Sequence, residues 1–210
     1  MRQTLIFSAV MVVMAAAAAL QGCVPMVIGA GGAAAYSSLE DRRTTGTQID
    51  DESIEVRASN RIGDRFGSTV HVNVTSYGRQ ALVTGEVPDD KARSEVEKIV
   101  RAVPTVRDVT NDLQIAGISS YGARANDSYL TTKVRGGLLD TKRVSPVHLK
   151  VVTEAGVVYL MGIVTEAEAD EAVNIARNTG GVRKVVKVFE YCQPTDDACR
   201  SAAAKTKATQ

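Results

Sequence analysis

Two stretches of alternating apolar residues, 72–87 and 149–164, align on each other without a gap. Identities are few, but the apolar alternation, a polar or glycine-containing turn in the middle and a Gly-x-Val ending (Gly85, Val87; Gly162, Val164) coincide. Alternation with a central turn predicts a β-hairpin in each copy. A helical period follows both. Residues 88–103 place Ala92, Val96, Ile99, Val100 and Val103 on one face. Its counterpart opens with Thr165-Glu166-Ala167-Glu168, a capping box, stacks Ala169, Val173 and Ala176, and stops at Gly180-Gly181. A strand closes each copy, at 106–115 and 182–191, and a helix opens each, at about 53–66 and 127–139. The repeated unit is therefore helix, hairpin, helix, strand. This is an α+β fold in two tandem copies, each a small three-stranded mixed sheet packed with two helices. Units this small are marginal alone, so packing of one copy on the other is expected to add stability.

The N-terminus has a different pattern. Arg2 precedes a run from Leu5 to Leu20 in which Ser8 alone is not plainly apolar. This is the form of a signal peptide, and it is shorter than the roughly 20 residues of a spanning helix. The run ends in Leu20-Gln21-Gly22-Cys23, a lipobox in which Cys23 receives the lipid, although Gln21 departs from the usual small residue. Val24 follows, rather than the aspartate that retains lipoproteins in the inner membrane, so export to the outer membrane is expected. The folded part then faces the oxidising periplasm. The organisation read from the chain is a signal peptide over 1–22, a lipidated tether over 23–49, domains over 50–116 and 125–192 with a linker over 117–124, and a flexible tail over 193–210.

Composition narrows the function. Cleavage after residue 22 removes Arg2 and leaves 24 basic against 24 acidic residues, which argues against nucleic acid as a partner. Tryptophan is absent and aromatics make up 4%, so the core is aliphatic. Gly29-Ala30-Gly31-Gly32 lacks the Lys-Ser/Thr of a phosphate-binding loop, and no Gly-x-Ser-x-Gly elbow occurs. The pairs Asp89-Asp90 and Asp196-Asp197 sit at a helix start and in the tail, where capping or solvation accounts for them. No catalytic constellation emerges, and the chain reads as a non-enzyme without a cofactor. The two histidines, His71 and His148, occupy equivalent repeat positions flanked by apolar residues, and are expected as exposed strand residues opposite the core, with no metal site. In an oxidising compartment Cys192 and Cys199 are expected to form a disulfide.

The repeated unit resembles the BON domain. The whole chain is similar to dual BON-domain outer-membrane lipoproteins in Leu20-Gln21-Gly22-Cys23, Gly46-Thr47-Gln48-Ile49-Asp50-Asp51, Glu55-Val56-Arg57, Asn126-Asp127, Thr131-Thr132-Lys133-Val134-Arg135 and Leu160-Met161-Gly162-Ile163-Val164-Thr165-Glu166. The tail after Tyr191, with its two cysteines, departs from that pattern. The resemblance implies a non-enzymatic periplasmic protein that binds anionic phospholipid, such as phosphatidylglycerol or cardiolipin, and supports envelope integrity.

Charge differs between the copies in a way that fits. Residues 124–150 carry six basic side chains against two acidic, whereas the first-copy counterpart, 51–73, carries three against four. Basic clusters beside a membrane attract anionic lipid by about 1 kcal/mol per charge. In the second copy's first helix Leu130, Val134 and Leu138 form the core face. Tyr129, Thr132, Lys133, Arg135 and Gly136, with Lys142 and Arg143 beyond, are the candidate lipid-binding residues. Tyr129 stands where the family pattern has Trp, and both rings favour a membrane interface. The competing reading is a protein–protein adaptor or chaperone-like BON protein, its basic face docking an acidic partner such as an outer-membrane assembly or division-site protein.

Overall fold

The computed structural model describes residues 41–141, 143–197 and 199. Cys23, the signal peptide, the tether up to residue 40, Lys142 and the end of the tail lie outside them. The first domain runs α1 (Thr45–Phe66), β1 (His71–Tyr77), β2 (Gln80–Val87), α2 (Asp90–Arg101), β3 (Asp108–Asn111) and β4 (Gln114–Ile115). The second runs α3 (Tyr121–Asp140), β5 (Leu149–Glu154), β6 (Val157–Val164), α4 (Glu166–Asn178) and β7 (Lys184–Tyr191). In each, an antiparallel hairpin is joined by a parallel strand on the far side of its second strand, giving the orders β1-β2-β3 and β5-β6-β7. The short β4 continues the parallel pairing along β2.

Both opening helices begin earlier than expected. The Thr44 side chain accepts from the Thr47 amide and caps α1, and the Ser120 side chain does the same for the Ala123 amide at α3. Part of the expected tether and part of the expected linker are thus helical, because a capping hydroxyl compensates for weak hydrophobic periodicity. The capping box of α4 forms as read, with Thr165 and Glu168 bonded reciprocally.

Each hairpin turns through two residues with positive φ, Gly78-Arg79 and Ala155-Gly156, the mirror-image geometry that suits strand twist. A buried aspartate in the preceding helix holds each turn. Asp51 accepts from the Gly78 and Arg79 amides, and Asp127 from the Ala155 and Gly156 amides. The Gly-x-Val endings also have a local cause. A Cβ on Gly85 would lie 2.0 Å from the His71 carbonyl oxygen, and one on Gly162 would lie 2.4 Å from that of His148.

Ile54, Ala58 and Ile62 of α1 pack with Val83, Val96 and Val100 in the first core. Val134 and Leu138 of α3 pack with Val158, Leu160 and Ala172 in the second. A third cluster joins the two sheets on the faces away from the helices. Tyr77 and Leu82 of the first domain meet Tyr159, Met161, Ile163 and Val188 of the second, with Cys192 and Cys199 at its edge. Polar contacts flank this seam. The Tyr159 hydroxyl donates to Asp112 at 2.8 Å, Lys150 bonds Glu55, and Arg107 bonds Glu190. β6 therefore buries side chains on both faces, which is why it reads as a nearly unbroken apolar run.

Candidate functional site

The outer face of α3 is the first candidate. With about 100° of turn per residue, the Leu130/Val134/Leu138 seam leaves Tyr121, Tyr129, Thr132, Gly136 and Leu139 on the opposite side. Tyr121 is 85% exposed, Tyr129 61% and Leu139 66%. These rings and this leucine cannot be core residues, and they share one helix surface. The basic residues stand on its flanks. The Lys133 Nζ lies 5.5 Å from the Tyr129 ring centroid and donates to the Gly180 carbonyl at 2.8 Å. On the other flank Arg135 donates to the Val151 carbonyl at 3.1 Å, and the Arg124 guanidinium sits 4.5 Å from the Tyr121 ring centroid. Gly136 has open space above it, while Gly137 lets α4 approach: a Cβ there would lie 2.8 Å from Ile175.

The basic excess of residues 124–150 is thus not one free patch. Lys150 is committed to Glu55 and to the Ser76 carbonyl across the domain seam. Arg143 pairs with Glu171 at 3.3 Å and is largely exposed. Lys142 is outside the described residues. Tyr129, Thr132, Lys133, Arg135 and Gly136 do lie together on or beside one helix surface; Arg143 lies apart from them, paired with a residue of α4.

Beside α3 lies a cleft of about 530 Å³ between the domains. His71 and Asn73 line it from the first domain, and Arg124, Thr131, Arg135 and Glu154 from the second. Sequence periodicity did not reveal it, because its walls come from two copies. The histidines correct the expectation most clearly. Neither is an exposed strand residue: the sheet faces opposite the helices are buried against each other, and both imidazoles are mostly covered. His71 Nδ1 lies 2.9 Å from Glu86 Oε2 and 3.9 Å from Glu154 Oε1. Burial pushes the Glu154 carboxyl up, partly offset by the hydrogen bond from Asn73. The signal available in sequence was the pair His71 and Glu86, which become cross-strand partners once the hairpin register is set.

His148 sits elsewhere, in a 3₁₀ turn (Pro146–His148), 3.6 Å from Glu168. Glu168 also receives both terminal nitrogens of Arg42, at 2.7 and 2.9 Å. Arg42 further donates to the carbonyls of Ile163 and Cys199, tying the segment before α1 to the second domain. Burial alone would raise the Glu168 carboxyl, yet bonds from His148, Arg42 and the Thr165 amide hold it well below the usual carboxylate range. Cys192 and Cys199 are disulfide-bonded, with Cα atoms 5.4 Å apart. Among the described residues no helix is long and apolar enough to cross a membrane.

Comparison with known proteins fits this architecture. The BON domain profile matches residues 49–117 and 126–193. The chain is 39% identical over 174 residues to the outer membrane lipoprotein DolP of Haemophilus influenzae, covering 82% of this chain and 90% of that one. It is 32% identical over 155 residues to the 21 kDa hemolysin of Actinobacillus pleuropneumoniae, covering 73% and 80% respectively. Osmotically-inducible protein Y of Escherichia coli matches at 28% over 95 residues, covering 45% and 47%. With two complete αββαβ units, both matched by that profile, the chain belongs to the BON-domain family as a two-domain member similar to DolP.

Proposed function

We propose that this protein is a lipoprotein of the outer membrane, anchored through Cys23, whose folded part faces the periplasm and lays α3 on anionic phospholipid. It performs no catalysis; its role is to support envelope integrity. The observation that carries the reading is the outer face of α3, where exposed Tyr121, Tyr129 and Leu139 lie between basic side chains on both flanks. Aromatic and aliphatic groups of this kind insert shallowly at the headgroup level, and lysine and arginine add Coulomb attraction to anionic headgroups. The acyl chains on Cys23 supply a stable anchor, and α3 supplies headgroup selectivity.

Binding then has two separable parts. The electrostatic part falls with salt, since exposed charges are screened beyond about 8–10 Å at physiological ionic strength. The insertion part persists and follows ring size. The test uses the full chain with Cys23→Ser, so that no acyl group contributes, in co-sedimentation with phosphatidylglycerol or neutral phosphatidylcholine vesicles at two salt concentrations. Lys133→Glu weakens binding to anionic vesicles by about tenfold or more. Tyr129→Ala weakens it with little change in salt slope, and Tyr129→Trp strengthens it. Equal binding to neutral and anionic vesicles would refute the assignment and favour an adaptor role for the same face.

A further inference from the structure

His71, Glu86 and Glu154 form a constellation that lipid binding does not use. His71 opens β1, Glu86 is its cross-strand partner on β2, and Glu154 ends β5 of the other domain. One donor atom from each lies within 4.8 Å of the other two. Both carboxylates are deeply covered, with side chains 8% and 6% exposed. Each is oriented through its Oε2. The Ser119 amide donates to Glu86 at 3.2 Å, and Asn73 Nδ2 donates to Glu154 at 2.7 Å. The Oε1 of each carboxylate accepts no hydrogen bond among the described residues.

Arg124 and Arg135 line the same cleft, but their contacts among the described residues are the Tyr121 ring and the Val151 carbonyl, which leaves two buried carboxylates facing one imidazole. A neutral imidazole contributes no charge, and a protonated one contributes a single charge against two. Buried charge of this kind is relieved by a proton or by a cationic partner, and a cation meets both carboxylates at once. A divalent cation between two carboxylates and a neutral imidazole brings the sum to zero. Oxygen donors alone would suit Ca²⁺ or Mg²⁺, whereas the imidazole moves the preference to transition metals. One nitrogen and two oxygens from three strands leave a fourth position free, as in zinc sites that keep a solvent ligand. The cleft provides that position and a path to solvent, because His71 and Glu154 are part of its wall. Donors around tetrahedral zinc stand about 3.4 Å apart, so closing the site needs at most about 1.5 Å of contraction in any pair, within the range of glutamate side-chain torsions. Asn73 and the Ser119 amide then act as the outer hydrogen bonds that fix ligand orientation.

We propose that His71, Glu86 and Glu154 bind one divalent transition-metal ion, Zn²⁺ by donor set, and that this ion clamps the second domain to the first. The repeat counterpart shows why the described residues hold one such cluster and not two. Glu86 is replaced by Ile163, and Glu168, a carboxylate 3.6 Å from His148, is already paired with Arg42.

The test is made on the full chain in detergent micelles after treatment with a chelator. Calorimetric titration with Zn²⁺ is expected to show one equivalent bound, and Co²⁺ to give visible d–d bands of a nitrogen–oxygen site. His71→Ala and Glu154→Gln each weaken Zn²⁺ at least tenfold and abolish the Co²⁺ bands, while His148→Ala preserves both. The unfolding midpoint rises with Zn²⁺ in the wild type and stays fixed in Glu154→Gln, which keeps an acceptor for Asn73 if His71→Ala fails to fold. Absence of a one-equivalent site, an equal loss in His148→Ala, or Mg²⁺ binding as tightly as Zn²⁺ would overturn the assignment.

Discussion

α1 and α3 open the two domains with the same internal plan and different outer faces. Each buries three apolar residues one turn apart, Ile54, Ala58 and Ile62 in one and Leu130, Val134 and Leu138 in the other. Each also buries an aspartate that binds the next hairpin turn. Outward, they part. On α1 the exposed Ile49 and Val56 are scattered among Asp50, Glu52, Arg57, Arg61 and Asp64. On α3 the acidic residues are the buried Asp127 and the terminal Asp140, and the outer face between them carries Tyr121, Tyr129 and Leu139. The sheet faces opposite the helices diverge in the same manner. His71, Asn73, Thr75 and Glu86 in the first sheet correspond to His148, Lys150, Val152 and Ile163 in the second. The difference teaches that the fold holds constant what its own turns and cores require. Surfaces that the fold does not need carry the specialisation, one copy toward the proposed lipid contact and both toward their mutual seam.

The shared aspartates are the place where this comparison breaks hardest. Asp51 takes four donors, including Ser76 and the guanidinium of Arg43, while two donors are recorded for Asp127. Asp51→Ala removes four buried bonds, one of them to Arg43, which keeps its pairing with Asp41, and is expected to cost about 3–5 kcal/mol. Asp127→Ala loses two amide bonds and should cost about 1–3 kcal/mol. Urea unfolding of both variants gives the ranking, and equal costs would show that the additional bonds from Ser76 and Arg43 add nothing.

Glu168→Gln tests the tie between the Arg42 segment and the second domain, at about 3 kcal/mol near neutral pH. Because the folded carboxyl lies below its ordinary value of 4.5, its stabilisation is full above that value and fades as pH falls toward the lower folded value. The penalty of the variant should therefore be larger at pH 7 than at pH 3, measured by thermal unfolding. A penalty independent of pH would mean that the charge is not what holds Arg42.

Charge reversal on the two helices gives the next effect. Lys133→Glu should cost anionic-vesicle binding about tenfold or more, whereas the exposed Arg57→Glu of α1 should change it less than twofold. Arg57 is a cleaner control than Arg61, which donates to the Ala102 carbonyl. Equal losses from both helices would refute the asymmetry. The smallest effect sharpens it. Gly136→Ala on α3 and Gly63→Ala on α1 meet open space, so each should stabilise by about 0.5–1 kcal/mol through helix propensity. A gain on α1 alone, seen in denaturant midpoints, would show that α3 carries strain at Gly136.

Much of the fold was legible before any coordinates. The hairpins, the α2 and α4 faces and the Thr165 capping box follow from period and cap chemistry, which are local. The helix starts at Thr45 and Tyr121 were missed because a hydroxyl cap leaves little trace in hydrophobic periodicity. The apolar pattern predicts one continuous final strand over 106–115 in the first copy, whereas it breaks at Asp112-Leu113 into β3 and β4. The charge contrast between copies points to the α3 residues, yet it counts Lys150 and Arg143 in the same patch. Only their partners, Glu55 and Glu171, remove them from it.

By itself the chain determined its repeat, its α+β class, the inward face of each helix and the outward position of Tyr129, since these depend on residues within a few turns of one another. The tertiary structure decided what the opposite faces of the sheets do. Alternation tells which side chains leave the core, but not whether water or another sheet receives them. That choice rests on contacts between residues some 80 positions apart, such as Asn73 with Glu154 and Arg107 with Glu190. It turned His71 from an expected surface residue into a mostly covered neighbour of two carboxylates, and it made a cleft from two walls that no single repeat contains.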